Sequence, residues 1–315
     1  MGASTRPALI ALRVLAVLWI GVLFTKHFMG WSTPLLPQTA IERIEQILTV
    51  DKTVEYNTPH TTVKLGDIQN KVAFMVETQY TEHLVPLILH FHGVLGPEWP
   101  IVFFTTDEMI KTHLGPSHSA IWQRAVASGA IIVIPIPESK GFDLTDRVGV
   151  NLFLVDPWLW ENLAPAEHVL LFQSDSVICA NSPHKAEDFF HWDFVGPPPL
   201  QDRHWYHGGL TLRNRTMIMD ILNEPHDWLT ETKAGTDGGG EDIWFAIKME
   251  SRGGKLPDWP MAIQFAEEFD WNVQAYKTPF GYHKVHADAP QSMEEISAYC
   301  PEIALAMPGV LPPAP

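Results

Sequence analysis

The segment HVLLFQSDSVICANSP, residues His168–Pro183, joins an apolar run directly to a short polar cluster. The residues Val169–Phe172 are continuously apolar, which is typical of a strand buried on both faces. The cluster Gln173–Ser176 follows at once and contains a single acidic residue, Asp175. Asp and Ser favour ordinary turns at strand ends. Open α/β sheets, however, bind ligands at the carboxyl ends of parallel strands, so Asp175 is also a candidate metal or ligand residue.

Strand-like and helix-like segments alternate around this stretch. The predicted strands are KVAFMVET (71–78), IVFFTT (101–106), AIIVIPIP (130–137) and EHVLLFQSD (167–175). The predicted helices are TEHLVPLILHFHGVLG (81–96), SAIWQRAVASG (119–129), NLFLVDPWLWENLAP (151–165) with a break near Pro157, Thr216–Asn223, and one that opens at Glu241. Apolar strands joined by helices predict an α/β fold, with a mostly parallel sheet flanked by helices. Neither GxGxxG nor GxxxxGK[ST] occurs, which disfavours dinucleotide-binding Rossmann and P-loop proteins.

The charge and the cysteines exclude several classes of protein. The 315-residue chain carries a net charge of -16, which argues against nucleic acid as a partner. An anionic ligand would therefore need a local cation. The chain has 2 cysteines and no CxxC pair, so a cysteine zinc site is excluded. A disulfide is possible but cannot be inferred, and we interpret Cys179 as a buried thiol.

The N-terminal region has the pattern of a membrane anchor. Ala8–Phe24 is apolar except for Arg13 and would extend about 26 Å as a helix at roughly 1.5 Å per residue. A cleaved signal peptide is the alternative, but no A-x-A cleavage pattern follows. We therefore expect a cytosolic tail and transmembrane helix at 1–30, a stem at 31–70, a globular domain at 71–289 and a Pro-rich tail at 290–315. This is a single-pass type II layout, with the domain in the lumen of the Golgi or another secretory compartment.

Three further segments contain candidate functional residues. Glu241 and Asp242 follow the glycine-rich run GTDGGG, at a predicted helix start. The helix dipole alone favours acidic residues there, but a carboxylate beside a flexible backbone could also act as a general base. Gly208-Gly209 is either a simple turn or a place where a ligand passes close to the backbone. His283 and His286 are three residues apart, a spacing that suits one helix face or a loop pair that could bind a metal.

In their order along the chain, six segments resemble a fungal and bacterial domain-of-unknown-function family regarded as GT-A-type glycosyltransferases. They are VAFMVET, LLFQSDS, DFVGPPP, HGGLTLRNR, EDIWF and PFGYHKVH, and they run from about Lys71 to His286. The resemblance implies a GT-A-like, Rossmann-like fold, a nucleotide-sugar donor and a divalent metal, Mn or Mg.

The resemblance also implies roles for particular residues. Asp175 matches the last Asp of a D-x-D motif and would bind the metal with His283 or His286. Asp242 matches the acidic residue that serves as base in inverting members, with Glu241 beside it as a second catalytic candidate. The implied donor-binding residues are Glu77, Gln173, Ser174, Gly208 and Gly209. The chain departs from the pattern at Gln173, where an Asp is expected, and at His207, where an Asn is usual.

The sequence therefore predicts a membrane-anchored hexosyltransferase or a related transferase. Its acceptor would be a glycan, a protein or a small molecule. The alternative is a non-catalytic relative that binds carbohydrate or nucleotide, which the departures at Gln173 and His207 would suit. A phosphatase or hydrolase is disfavoured, since no nucleophile motif such as GxSxG occurs.

Overall fold

The protein is represented by a computed structural model, which describes residues 67–115, 119–199, 205–225, 227–234, 239–268, 276–285 and 290–306. The predicted anchor, most of the predicted stem and His286 lie outside these ranges. Among the described residues, no helix has both the length and the apolar character that a membrane crossing requires.

The main sheet of the described chain has six strands in the order β3-β2-β1-β4-β7-β6. Their bounds are β1 Lys71–Val76, β2 Ile101–Thr105, β3 Ile131–Pro135, β4 His168–Phe172, β6 Phe194–Val195 and β7 Leu210–Asn214. Strands β1 to β4 pair in parallel, whereas β7 runs antiparallel to both β4 and β6. The predicted mostly parallel sheet is thus confirmed over its first four strands, and the sheet as a whole is mixed.

Helices cover both faces of this sheet. Their bounds are α1 Leu84–Leu95, α2 Asp107–His113, α3 Ala120–Ser128, α4 Arg147–Leu154, α5 Pro157–Glu161, α6 Arg215–Leu222, α7 Trp228–Ala234, α8 Glu241–Ser251, α9 Trp259–Phe265, α10 Pro290–Tyr299 and α11 Ile303–Ala306. Successive side chains of a strand point to opposite faces, so Leu170 and Phe172 of β4 enter one core while Val169 and Leu171 enter the other. This two-sided burial explains the continuous apolar run in the sequence.

The predicted helix boundaries agree with local capping. Gly129 ends α3 with a φ of 79°, a left-handed conformation that glycine adopts without a Cβ penalty. Asp156 caps α5 by accepting from the Trp158 amide, and Pro157 occupies the first turn. The predicted break near Pro157 is therefore confirmed as the junction between α4 and α5.

A second, smaller sheet follows the end of β4. It contains β5 Ser176–Ile178, β9 Gly281–His283 and β8 Ala266–Glu267, with β9 in the middle. Strand β5 pairs antiparallel with β9, which places Ser176 opposite His283. Two distant parts of the chain therefore meet just beyond the polar tip of β4.

The C-terminal residues 290–306, predicted as part of a Pro-rich tail, form α10 and α11. A disulfide joins Cys300, which follows α10, to Cys179, which follows β5. Cys179 is buried, as predicted, but its interpretation as a thiol is wrong. The physical reason is long-range: packing of α10 and α11 against β5 brings the two Cα atoms within 5.0 Å across 121 residues of sequence.

Candidate functional site

Asp175 and His283 face each other at the junction of the two sheets. Asp175 precedes β5 and His283 ends β9, so the pairing of these strands brings them together. Asp175 Oδ1 lies 3.4 Å from His283 Nε2. The Asp175 side chain is 42% exposed, whereas that of His283 is 1% exposed. A solvent-accessible carboxylate therefore sits next to a buried imidazole.

Two carboxylates flank the His283 ring. Its Nδ1 lies 2.9 Å from Glu268 Oε2, on the side opposite Asp175. Burial by itself lowers the pKa of His283, but contacts with Asp175 and Glu268 outweigh it, so the pKa is raised above its ordinary value. The charge of His283 in turn helps to hold the pKa of Asp175 below its usual range, although burial acts in the opposite direction.

The glycine pair lies against His283 because β7 runs antiparallel to β4. Leu210, the first residue of β7, pairs with Phe172, the last residue of β4, so the residues before Leu210 lie beside the polar tip of β4. Gly209 packs so closely on the imidazole that a Cβ there would lie 1.9 Å from His283 Nε2. Its carbonyl accepts from the amide of Gln173 and from the hydroxyl of Ser176. Gly209 therefore ties β7 to the end of β4.

Asp242 lies on the other side of the glycine pair, in the first turn of α8. Its Oδ2 accepts from the Gly208 amide at 2.7 Å, and its Oδ1 accepts from the Ile243 amide at 2.8 Å. The side chain is half-buried. A carboxylate has about four acceptor positions, so two backbone donors orient Asp242 and leave it able to accept a further proton donor.

Glu241, by contrast, is engaged with a buried cation. Arg213 is fully buried on β7 and donates to Glu241 through both terminal nitrogens, at 2.7 and 3.0 Å. Burial raises the pKa of Glu241, and the guanidinium of Arg213 opposes that shift. The Glu241 amide also donates to Asn151 Oδ1 on α4, at 2.5 Å. Both carboxylate oxygens of Glu241 accept from Arg213, so this residue ties the start of α8 to β7.

The other predicted donor-binding residues occupy two positions. Gln173 lines the cavity described below. Glu77 and Ser174 hydrogen-bond to each other across the ends of β1 and β4, at 3.1 Å. The Glu77 carboxylate also accepts from the amides of Thr78 and Gln79, so it orders the loop that follows β1.

A cavity of about 540 Å³ opens between these elements. Residues from the sheet junction and from the start of α8 form one part of its wall, while α4 and the loop before it form another. The candidate residues on its lining are Gln173, Gly208, Gly209, Glu241, Asp242 and His283. The structure thus brings six of the ten predicted site residues to one cavity, while Asp175 lies beside His283 and is not part of the lining.

Several residues of this site were not predicted from the sequence. Glu268, Lys284, Arg147 and Asn151 all line the cavity, and Arg213 lies behind it. Of these residues, only Lys284 is next to a predicted site residue, since it directly follows His283. It also adopts a φ of 49°, which is uncommon outside glycine. The others have no local signal, because their importance arises from contacts between distant segments.

One family comparison covers the central part of the chain. Residues 135–283 match a family model described as "Protein of unknown function (DUF5672)". The resemblance to a domain-of-unknown-function family is thereby confirmed over just under half of the chain. The DUF5672 segment runs from the end of β3 to His283 and contains the polar tip of β4, the glycine pair and the start of α8. No curated protein matches the chain.

Solved structures similar to the chain include three glycosyltransferases. GlyE of Streptococcus pneumoniae TIGR4 has 11% identity and a TM-score of 0.43, covering 70% of this chain and 56% of GlyE. The galactosyltransferase LgtC, solved with donor and acceptor sugar analogs, has 12% identity and a TM-score of 0.40, covering 73% and 96%. The mannosyltransferase PcManGT of Pyrobaculum calidifontis, solved with GDP-Man and Mn2+, has 13% identity and a TM-score of 0.39, covering 91% and 80%. The chain therefore spans little more than half of GlyE, and at these scores the overlap assigns no activity to it.

Neutralising the neighbouring carboxylates of Glu241 and Asp242 should change the free energy of unfolding by different amounts. We expect Glu241→Gln to lower the free energy of unfolding by about 3–5 kcal/mol, because it leaves the buried Arg213 without its counter-charge. Asp242→Asn should cost about 1 kcal/mol, since one backbone hydrogen bond is weakened at a half-buried position. Urea denaturation of both variants measures the difference. Equal losses would contradict the assignment of Glu241 to the buried ion pair.

The close approach of Gly209 to His283 predicts a second stability difference. Gly209→Ala should cost about 1–3 kcal/mol, because the new methyl group must displace a buried ring. Gly93→Ala is the matched control: Gly93 is exposed within α1, and a Cβ there meets nothing within 4 Å. That control should gain about 0.5–1 kcal/mol of stability. Denaturation gives both values, and the imidazole NMR signals of His283 should shift only in Gly209→Ala.

Proposed function

We propose that the protein is a glycosyltransferase that moves a sugar from a nucleotide-sugar donor to an acceptor hydroxyl, assisted by a divalent cation. The observation that carries the proposal is the pairing of Asp175 with the buried Nε2 of His283, next to a cavity that Asp242 also lines. The Asp175–His283 pair suits a metal-bound diphosphate, and Asp242 supplies a carboxylate that can accept a proton. The family resemblance points to the same chemistry.

The Asp175–His283 pair fits a divalent cation. The two atoms that would hold the ion, Asp175 Oδ1 and His283 Nε2, lie 3.4 Å apart, a spacing that one divalent cation can span. Nε2 is buried and makes no hydrogen bond within the described part of the chain. No group of three or more His, Cys, Asp or Glu among the described residues could hold a metal ion. The donor phosphates and water would therefore complete the coordination, as is usual for Mg²⁺.

When bound, such a cation would stabilise the negative charge of the departing nucleoside diphosphate. The chain needs this local positive charge, because its net charge of -16 repels an anionic donor. Lys284 adds a second cation on the cavity lining. Gly209 has no side chain, so the His283 ring can pack against it and still reach Asp175.

Asp242 would be the general base for the acceptor. The amides of Gly208 and Ile243 orient its carboxylate, so the acceptor hydroxyl would donate to a remaining acceptor position. The proton would pass to Asp242 as the hydroxyl oxygen bonds to the sugar and the diphosphate leaves. This assignment implies an inverting reaction, whereas Glu241 would act only through the position of α8.

A nucleotide-sugar screen tests the proposed activity. Purified protein with Mn²⁺ should release nucleoside diphosphate slowly from one donor by hydrolysis, even without acceptor. Nucleotide binding without hydrolysis or transfer, for every donor tried, would favour the non-catalytic relative. Failure to bind any nucleoside diphosphate would reject glycosyl transfer and nucleotide binding alike.

The base assignment predicts a specific kinetic change. Asp242→Asn should lower kcat by about 100- to 10,000-fold while donor affinity stays near that of the wild type, because the residue would contact the acceptor and not the diphosphate. Asp258→Asn is a matched control, since Asp258 is an exposed aspartate at the start of α9, and it should keep full turnover. If Asp242→Asn loses donor binding instead of rate, the base lies elsewhere.

We further propose that the domain works in an oxidising compartment, anchored as a type II membrane protein. The apolar run Ala8–Phe24 supports the anchor. The Cys179–Cys300 disulfide supports the compartment, because such bonds persist mainly in secretory and extracytoplasmic spaces.

Protease protection tests this topology. In microsomes, the domain should resist added protease until detergent is present, while a tag fused to the N-terminus should be digested at once, because the two lie on opposite sides of the bilayer. Digestion of the domain without detergent would contradict the proposed orientation.

A further inference from the structure

Glu268 is a buried carboxylate at the cavity that the sequence did not single out. It follows β8, is 5% exposed and lines the same cavity as His283 and Asp242. Its Oε2 lies 2.9 Å from Nδ1 of His283 and 3.5 Å from Nδ1 of His207. A buried carboxylate is costly unless it is paired, and here two imidazoles share one of its oxygens. The burial and the pairing together indicate a specific role.

The register between β8 and β9 places Glu268 next to His283. Strands β8 and β9 are parallel, with Ala266 opposite Gly281 and Glu267 opposite Tyr282. The next pair along the same register is Glu268 and His283. Because neighbouring side chains on a strand alternate in direction, Glu267 turns the other way, and its carboxylate accepts from the Tyr276 amide at 2.7 Å. Two adjacent buried glutamates therefore face different surroundings.

The contact with Glu268 determines which nitrogen of a neutral His283 carries the proton. A carboxylate is only an acceptor when ionised, so Nδ1 must be the donor in the 2.9 Å contact. The lone pair of the neutral ring then lies on Nε2, the atom that faces Asp175 at 3.4 Å. The opposite tautomer would place a lone pair against the carboxylate and a proton toward Asp175.

We infer that Glu268 is a positioning residue that holds His283 with its Nδ1 proton toward the protein and its Nε2 lone pair toward Asp175, ready for a divalent cation. The inference rests on the proposed function for the identity of the ligand. Partners of this kind, which bond to the second nitrogen of a metal-binding histidine, fix the ring orientation and raise its basicity. Glu268 also contacts His207, which directly precedes the glycine pair. It therefore connects the metal-facing ring to the turn that orients Asp242.

Two measurements on matched variants test the inference. The variants are Glu268→Gln and the control Glu267→Gln, in the full chain. The first measurement is the nitrogen NMR spectrum of His283 without metal, at a pH above its pKa, which reports the protonated nitrogen. The second is Mn²⁺ affinity from water-proton relaxation, with UDP or GDP present.

In wild type and in Glu267→Gln, we expect the Nδ1–H tautomer and the same Mn²⁺ affinity. Glu268→Gln should mix the two tautomers and lower Mn²⁺ affinity about 10- to 100-fold. A residue with only a structural role would lower stability without changing the tautomer. The inference is overturned if wild-type His283 carries its proton on Nε2, if Glu268→Gln binds Mn²⁺ like the wild type, or if the wild type does not bind Mn²⁺ at all.

Failure of the proposed glycosyl transfer can be distinguished from failure of the inference about Glu268. If Mn²⁺ binding depends on Glu268 but no nucleotide sugar is hydrolysed or transferred, the role of Glu268 in a metal site is supported and glycosyl transfer is rejected. The metal measurement and the donor screen therefore separate the two proposals.

Discussion

The buried ion pair between Arg213 and Glu241 is the constraint on which the arrangement of the cavity depends. Arg213 is fully buried, and its guanidinium also lies over the ring of Phe194, 4.7 Å from the centroid. A charge in such a place is tolerated only with a well-oriented partner. Glu241 supplies that partner from the first residue of α8, so the helix must begin where Arg213 lies. Asp242 follows by one residue and is thereby brought to the amide of Gly208.

The reversal of strand direction at β7 is the second constraint. Four parallel strands end at one edge of the main sheet, and the next neighbour of β4 enters at that same edge from the opposite direction. The start of β7 and the end of β4 are therefore adjacent, although more than thirty residues of sequence lie between them. Polar residues from the end of one strand and glycines from the start of another can then share one site.

Local patterns in the sequence were sufficient for most elements of the main sheet and for several candidate residues. The apolar strands and the break at Pro157 follow from periodicity and backbone chemistry, which act over a few residues. Asp175 and Asp242 could be selected because each follows a recognisable local signal, a strand end and a glycine run. The antiparallel direction of β7 has no such local signal. The sequence therefore predicts a more uniformly parallel sheet than the structure has.

Long-range contacts explain what the sequence could not provide. Glu241 and Asp242 look equivalent in the sequence, and only the position of Arg213 separates them. Glu268 carries no motif, since its importance comes from the β8–β9 register. The partner of Cys179 likewise has no local signal, because the proline-rich composition of residues 290–315 predicts a tail and not the helices α10 and α11.

The disulfide also affects the order in which the protein can be completed. Its cysteines are separated by 121 residues, a length that takes about 6 to 24 seconds to synthesise at roughly 5–20 residues per second. The strand that carries His283 and the start of α8 both lie within that interval. Cys179 must therefore wait until the elements around the cavity have been made. The covalent bond can therefore form only after β9 and α8 have been synthesised, and once formed it joins the end of β5 to the end of α10.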